Sequence, residues 1–313
     1  MQLRSAKFCL KLTTSMNLDI QIGGRAQVLD SIIAYISQVI ITTFKIFFGL
    51  FFPLILGCII LNIFSKEQNK RLYYIGGWRA LLVTAWIGTP IHELSHYLIA
   101  VLTNHKVVEL KLFDPDPQTG SMGYIYHSYK VDNFYQAVVG NTFIAIAPFF
   151  GGSAVIYFLS AVIFPDFALF TGDVPRISYL TIDNALEWKS YLLFGETAYH
   201  FFNYLVDTIF TIEILHDWKL YVFLFLMFGI ANHLSPSAAD FQNFWQPLAI
   251  LLTSIVLLNL IIYPIVKNPE IIITTASKYI FVFLPIIYLA IFISAIGLLI
   301  TYSFTFVVWI FKR

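Results

Sequence analysis

Charge is what this chain has least of: 12% of its 313 residues are Asp, Glu, Lys or Arg, against roughly 25% in a soluble globular domain. With 58% hydrophobic residues, there is too little polar sequence to cover the core that this much apolar sequence would make. A soluble globular fold is excluded, and lipid is the expected solvent. Basic excess is missing too. Lys and Arg number 19 against 18 Asp and Glu, a net charge of +1, so the electrostatic footprint that nucleic-acid binding needs is absent. Cysteine is scarce: Cys9 and Cys58 make no metal-ligand spacing. Arg4, Lys7 and Lys11 precede no continuous apolar core of the signal-peptide kind, so the N-terminal segment is expected to be retained. There is no internal repeat and no low-complexity tract.

What the chain has is long apolar runs, several near the roughly 20 residues that cross a hydrocarbon layer. The first runs from about Ile32 to Phe64 and is expected to form one long or tilted span despite Lys45 and Pro53. Ser65 to Arg71 reads as a polar link, and the second span extends from about Trp78 to Leu102. Between Asn104 and Asp132 the pattern changes. Val107 to Leu112 and Gly123 to His127 alternate in part, and Asp114-Pro115-Asp116-Pro117-Gln118-Thr119-Gly120 between them reads as a turn, which predicts a small β-hairpin.

A third span is expected from Tyr135 to Phe164, with Gly151-Gly152 permitting close helix approach. Trp188 to Leu215 carries Glu196, His200, Asp207 and Glu213, more polarity than a lipid-facing span tolerates, and is expected to lie at the interface. Leu220 to His233 is a short fourth span that ends before Pro236. Two more follow near Phe244–Val266 and Tyr279–Ile310. The expected fold is an all-α integral membrane protein of about six transmembrane helices, with a small hairpin after the second. Lys and Arg in the short loops barely distinguish the two orientations.

The chemistry sits in His92-Glu93-Leu94-Ser95-His96. Residues four apart share a helical face, so both imidazoles can reach one zinc ion, and Glu93 can take a proton from a water on it. A metal-free polar cluster packing helices together is the plainer alternative. Ionisable groups within a membrane are costly, however, and tend to mark function. A catalytic zinc usually has three protein ligands and an open position. Asp240, His233, His127 and the pair Glu196 and His200 all remain candidates for the third, and spacing does not choose among them.

A motif helix followed by a further span and then by Asn232-x-x-x-Pro236-x-x-x-Asp240 resembles the site-2 protease family of intramembrane zinc metalloproteases, over roughly Trp78 to Asp240. The resemblance implies that His92, His96 and Asp240 bind Zn2+, that Glu93 is the general base, and that Asn232 and Pro236 line the substrate path. Phe241 stands where the family commonly has glycine. The implied organisation is an N-terminal segment with the first span over 1–77, a protease core over 78–240 and a two-span extension over 241–313.

The implied partners are the lipid bilayer and a transmembrane protein substrate, unwound and paired with the hairpin. The family also places zinc toward the cytosolic face, which puts the N-terminus in the cytosol. Rival functions are an ion or proton transporter, a zinc-stabilised scaffold, and a zinc hydrolase acting on lipid.

Overall fold

The computed structural model describes residues 27–48, 52–164, 187–209, 211, 215–234, 245–265 and 283–311. These are mostly helical, with one two-stranded sheet. The elements are α1 (Gln27–Ile46), α2 (Phe52–Leu102), β1 (Lys106–Lys111), β2 (Tyr124–Ser128), α3 (Asn141–Ile163), α4 (Trp188–Ile209), α5 (Trp218–His233), α6 (Trp245–Ile265) and α7 (Phe283–Phe311). A π-helical turn, Tyr135–Gly140, leads into α3.

The apolar run from Ile32 to Phe64 holds most of α1 and the start of α2, with Pro53 near the first described residues of α2; residues 49–51, between the two, lie outside the described residues. One expectation from the sequence is corrected. Ser65 to Arg71 is not a loop but continues α2. Several of its polar side chains find partners on α7 or within α2 itself. Gln68, fully buried, donates to the carbonyl of Ser294 on α7. Arg71 binds the Glu67 carboxylate at 2.6 Å, and both reach the Tyr302 hydroxyl.

The real break lies later in α2. Gly76 and Gly77 leave helical geometry, and Gly77 takes φ 62°, ψ −150°, a combination open to glycine and to almost nothing else. In a straight helix Asn62 and His96 would stand about 50 Å apart at 1.5 Å per residue. Here both line the same cavity, because the chain doubles back at the two glycines.

Both halves pack around α5, with α3 and α7 completing the bundle. Its core joins Leu61, Ile156, Met227, Ile230 and Ile287, all almost wholly buried. Close approach depends on small residues, as expected where helices pack with little help from water. A Cβ on Gly88 would run into the Gly229 carbonyl and the His233 ring, and one on Gly151 into the Ser95 side chain.

Among the described residues, three helices are long and apolar enough to cross a membrane: Gln27–Ile46, Tyr135–Ile163 and Leu284–Phe311. Two other stretches miss that mark for visible reasons. α5 has 16 residues, and the second half of α2 is diluted by Arg79, His92, Glu93 and His96. Along that half, Thr84, Thr89, Glu93, Ser95 and His96 face inward. Val83, Trp86, Leu94, Leu98 and Leu102 face out and are 41% to 71% exposed. This polar-in, apolar-out arrangement inverts that of a helix on a water-soluble protein.

The expected hairpin is present. β1 and β2 pair antiparallel, Lys106 opposite Ser128 and Lys111 opposite Tyr124, with a register irregularity between Val107 and Glu109. The Asp116 carboxylate closes the connecting turn, accepting from the Gln118 backbone N–H and the Thr119 hydroxyl, the local side-chain bond that makes Asp a turn residue. α4 buries Phe201 and Leu205 completely and packs Phe202 in tilted contact with Tyr288 and Phe292 of α7.

Candidate metal centre

His92, Glu93 and His96 occupy the second half of α2, two to six residues after Pro90. Glu93 and His96 are buried, and all three line a cavity of about 1240 Å³. The two imidazoles are oriented from outside their own helix. His92 Nδ1 lies 2.8 Å from the carbonyl of His233 at the end of α5, and His96 Nδ1 lies 2.7 Å from the carbonyl of Ile144 on α3. A carbonyl can only accept, so each Nδ1 carries the proton and each Nε2 presents a lone pair.

Those two Nε2 atoms are 3.1 Å apart. Two neutral imidazoles with lone pairs aimed at one another repel, so the space between them suits a cation: a shared proton or a metal ion. Zinc–nitrogen bonds of about 2.0–2.1 Å at a tetrahedral angle put two ligand nitrogens about 3.3 Å apart. The donor set therefore fits zinc. The Nδ1–H to carbonyl bond is also the usual outer support of a metal-ligating histidine.

The remaining predicted residues fall out as follows. Asn232 is buried beside the pair and lines the cavity. Its Nδ2 donates to Asn69 Oδ1 at 2.9 Å, and its own Oδ1 is buried with no hydrogen-bond partner. Pro236 and Asp240 lie outside the described residues. Among the described residues no third His, Cys, Asp or Glu completes a metal-holding group with the pair.

Of the alternative third ligands, Glu196 and His200 pair with each other at 4.0 Å on the exposed face of α4, both more than 60% exposed. Neither lines the cavity. His233 does; its Nδ1 bonds to the Gly229 carbonyl of its own helix, and its backbone carbonyl receives His92 Nδ1–H. His127, on β2, also lines the cavity, with Nδ1 buried and unpartnered. Burial holds His127 below the ordinary histidine range, helped by the nearby His105 and His96.

The hairpin forms one wall through Ser121, Gly123, Tyr124 and Tyr126. Thr89, one turn before Glu93, adds a further buried and unpartnered hydroxyl to the lining. A cavity of this volume lined by unpartnered polar atoms suits a polar chain segment.

One wall lies outside the expected site. Asn62, Ser65, Lys66 and Asn69 line the cavity from the first half of α2. Their i, i+3, i+4, i+7 spacing is a single helical face and was visible, but it falls across the segment taken for a link.

No protein-family model, curated protein or solved structure matches the chain.

Proposed function

We propose that this protein is a multi-pass integral membrane zinc hydrolase, and specifically an intramembrane metalloendopeptidase of the site-2 protease type. The single observation that carries the reading is the convergence of His92 Nε2 and His96 Nε2 at 3.1 Å, each ring locked by a backbone carbonyl, with Glu93 on the same cavity wall. His92 and His96 would hold the ion, with Asp240 as third ligand. Bound there, zinc lowers the pKa of a water and polarises the scissile carbonyl.

The chain's own residues do the rest. Glu93 takes a proton from the attacking water and returns it to the leaving amine. Thr89, Asn232 and Pro236 flank the substrate backbone, with Asn232 Oδ1 offering an acceptor to a substrate N–H. The hairpin gives an unwound segment a strand to pair with, which a helical substrate needs because its carbonyls are otherwise held in the i to i−4 ladder. The cleft of about 1240 Å³ exceeds what a drug-sized molecule fills and favours a peptide segment.

The inward polar and outward apolar residues of α2 support a lipid environment. We assign about six spans, with the N-terminus in the cytosol.

The rival reading follows from the same geometry. A proton instead of a metal between the two imidazoles would make the site part of an ion or proton path rather than a hydrolase. Zinc analysis of purified protein separates them: about one zinc per chain is expected, lost in His92→Ala and retained in Glu93→Gln. Glu93→Gln should also cause uncleaved membrane proteins to accumulate in cells. Folded wild type that never takes up zinc would sink the hydrolase reading. Zinc retention with an unchanged membrane proteome in Glu93→Gln cells would leave a scaffold.

A further inference from the structure

We infer that Ser65 and Asn69 are positioning residues: they clamp the end of α5 so that the His233 carbonyl orients His92 and the Asn232 side chain faces the cleft. The inference rests on the metal reading above and extends it to residues outside the motif.

The observations form a continuous chain of contacts. Ser65 Oγ donates to the Asn232 carbonyl at 2.6 Å. Asn69 Oδ1, one helical turn further along the same face, accepts from Asn232 Nδ2 at 2.9 Å. The next carbonyl along α5, that of His233, receives His92 Nδ1–H at 2.8 Å. Asn232 and His233 close α5, where the last carbonyls lack partners within the helix and the backbone is least constrained by its own ladder. Such an end does not hold a metal ligand steady without help.

Help from α2 comes from both halves. The first half grips Asn232 through Ser65 and Asn69, and the second brings Gly88 against Gly229 and the His233 ring. The outer hydrogen bond of a metal-bound histidine fixes its tautomer and ring plane, and loss of such a partner typically costs 10- to 100-fold in metal affinity. Ser65 and Asn69 act one step further out. Their effect is expected near the lower end of that range, about tenfold.

The same grip sets Asn232. With Nδ2 engaged by Asn69, Oδ1 is left buried and unpartnered on the cavity lining. Releasing Asn69 lets the amide turn and fill its own need elsewhere.

The test uses full-length protein in detergent or nanodiscs: wild type, Ser65→Ala, Ser65→Thr, Asn69→Ala and a His92→Ala reference. Two quantities are measured, zinc affinity by chelator competition and the His92 Nδ1–H resonance in metal-free, 15N-histidine-labelled protein. Ser65→Ala and Asn69→Ala should each weaken zinc binding about tenfold and exchange-broaden the His92 resonance, while Ser65→Thr, which keeps the hydroxyl, restores both.

Loss of thermal stability with unchanged zinc affinity and an unchanged resonance would reduce the pair to ordinary helix packing and overturn the inference. If wild type binds no zinc yet the resonance still responds to Ser65→Ala, the clamp stands and the metal reading fails. If wild type binds zinc and neither variant changes affinity or resonance, the clamp alone fails.

Discussion

His92 donates its Nδ1 proton to the carbonyl of His233, a residue 141 positions later in the chain. This bond presets the geometry of a local helical motif for the proposed metal site. It removes one tautomer from His92, fixes the ring plane and aims Nε2 at the matching atom of His96, whose own ring is set by α3. Three segments distant in sequence must therefore pack correctly before two residues four apart become useful.

The closeness of α2 and α5 is the first point to test. A Cβ at Gly88 meets the Gly229 backbone oxygen and the His233 ring, neither of which yields cheaply. Gly88→Ala should destabilise the protein by about 1–3 kcal/mol and weaken zinc binding, as α5 is pushed away. Gly195, on α4 with open space around it, is the control. There alanine should stabilise by roughly 0.5–1 kcal/mol, with zinc binding untouched. Equal thermal shifts for the two variants would contradict the packing argument.

Gly77 makes a separate prediction because its constraint is backbone conformation rather than space. Nothing lies within 4 Å of a Cβ built there, yet φ is +62°. Gly77→Ala should cost about 1–3 kcal/mol, while Gly195→Ala does not. Thermal unfolding of both variants in the same detergent checks it. Retained stability in Gly77→Ala would mean that the fold-back of α2 does not need this geometry.

Asp240 is tested by loss of metal. Asp240→Ala is expected to abolish stoichiometric zinc, whereas His127→Ala keeps it and lowers activity through the cavity wall. The reverse pattern, zinc lost in His127→Ala and kept in Asp240→Ala, would move the third ligand onto the hairpin.

Acid should loosen the hairpin. Thr103 Oγ1 donates to the Ile99 carbonyl at 2.7 Å and so accepts from His105 Nδ1–H at 2.9 Å, leaving His105 Nε2 buried and unpartnered. Burial pushes His105 below the ordinary histidine value, partly offset by the nearby polar groups of Thr103, Gln136 and Asn141. The folded state then binds fewer protons than the unfolded state just below pH ~6.5, so stability rises with pH and falls on acidification. Amide exchange in β1 and β2, corrected for intrinsic rates, should show protection dropping from pH 7 to pH 5. His105→Gln should flatten part of that drop, and the remainder belongs to His127, which faces His105 with ring centroids 5.0 Å apart. Protection that holds or increases toward pH 5 would rule this out.

Much of this protein was legible in its residues. Scarce charge and long apolar runs give a helical chain suited to lipid, because no soluble fold can hide that much apolar surface. Alternation broken by Asp114 to Gly120 gives the hairpin, because a period of two and a turn are both local properties. His92, Glu93 and His96 are legible because a helix alone places them on one side.

Tertiary structure decided the rest. Whether Ser65 to Arg71 was link or helix depended on partners such as Ser294 and Tyr302, which no local pattern reveals. The fold-back at Gly77 turned Asn62, Ser65 and Asn69 from a distant polar stripe into a cavity wall. The tautomers of His92 and His96 were set by carbonyls of α5 and α3, and a backbone carbonyl leaves no mark in the amino-acid sequence, since every residue carries one.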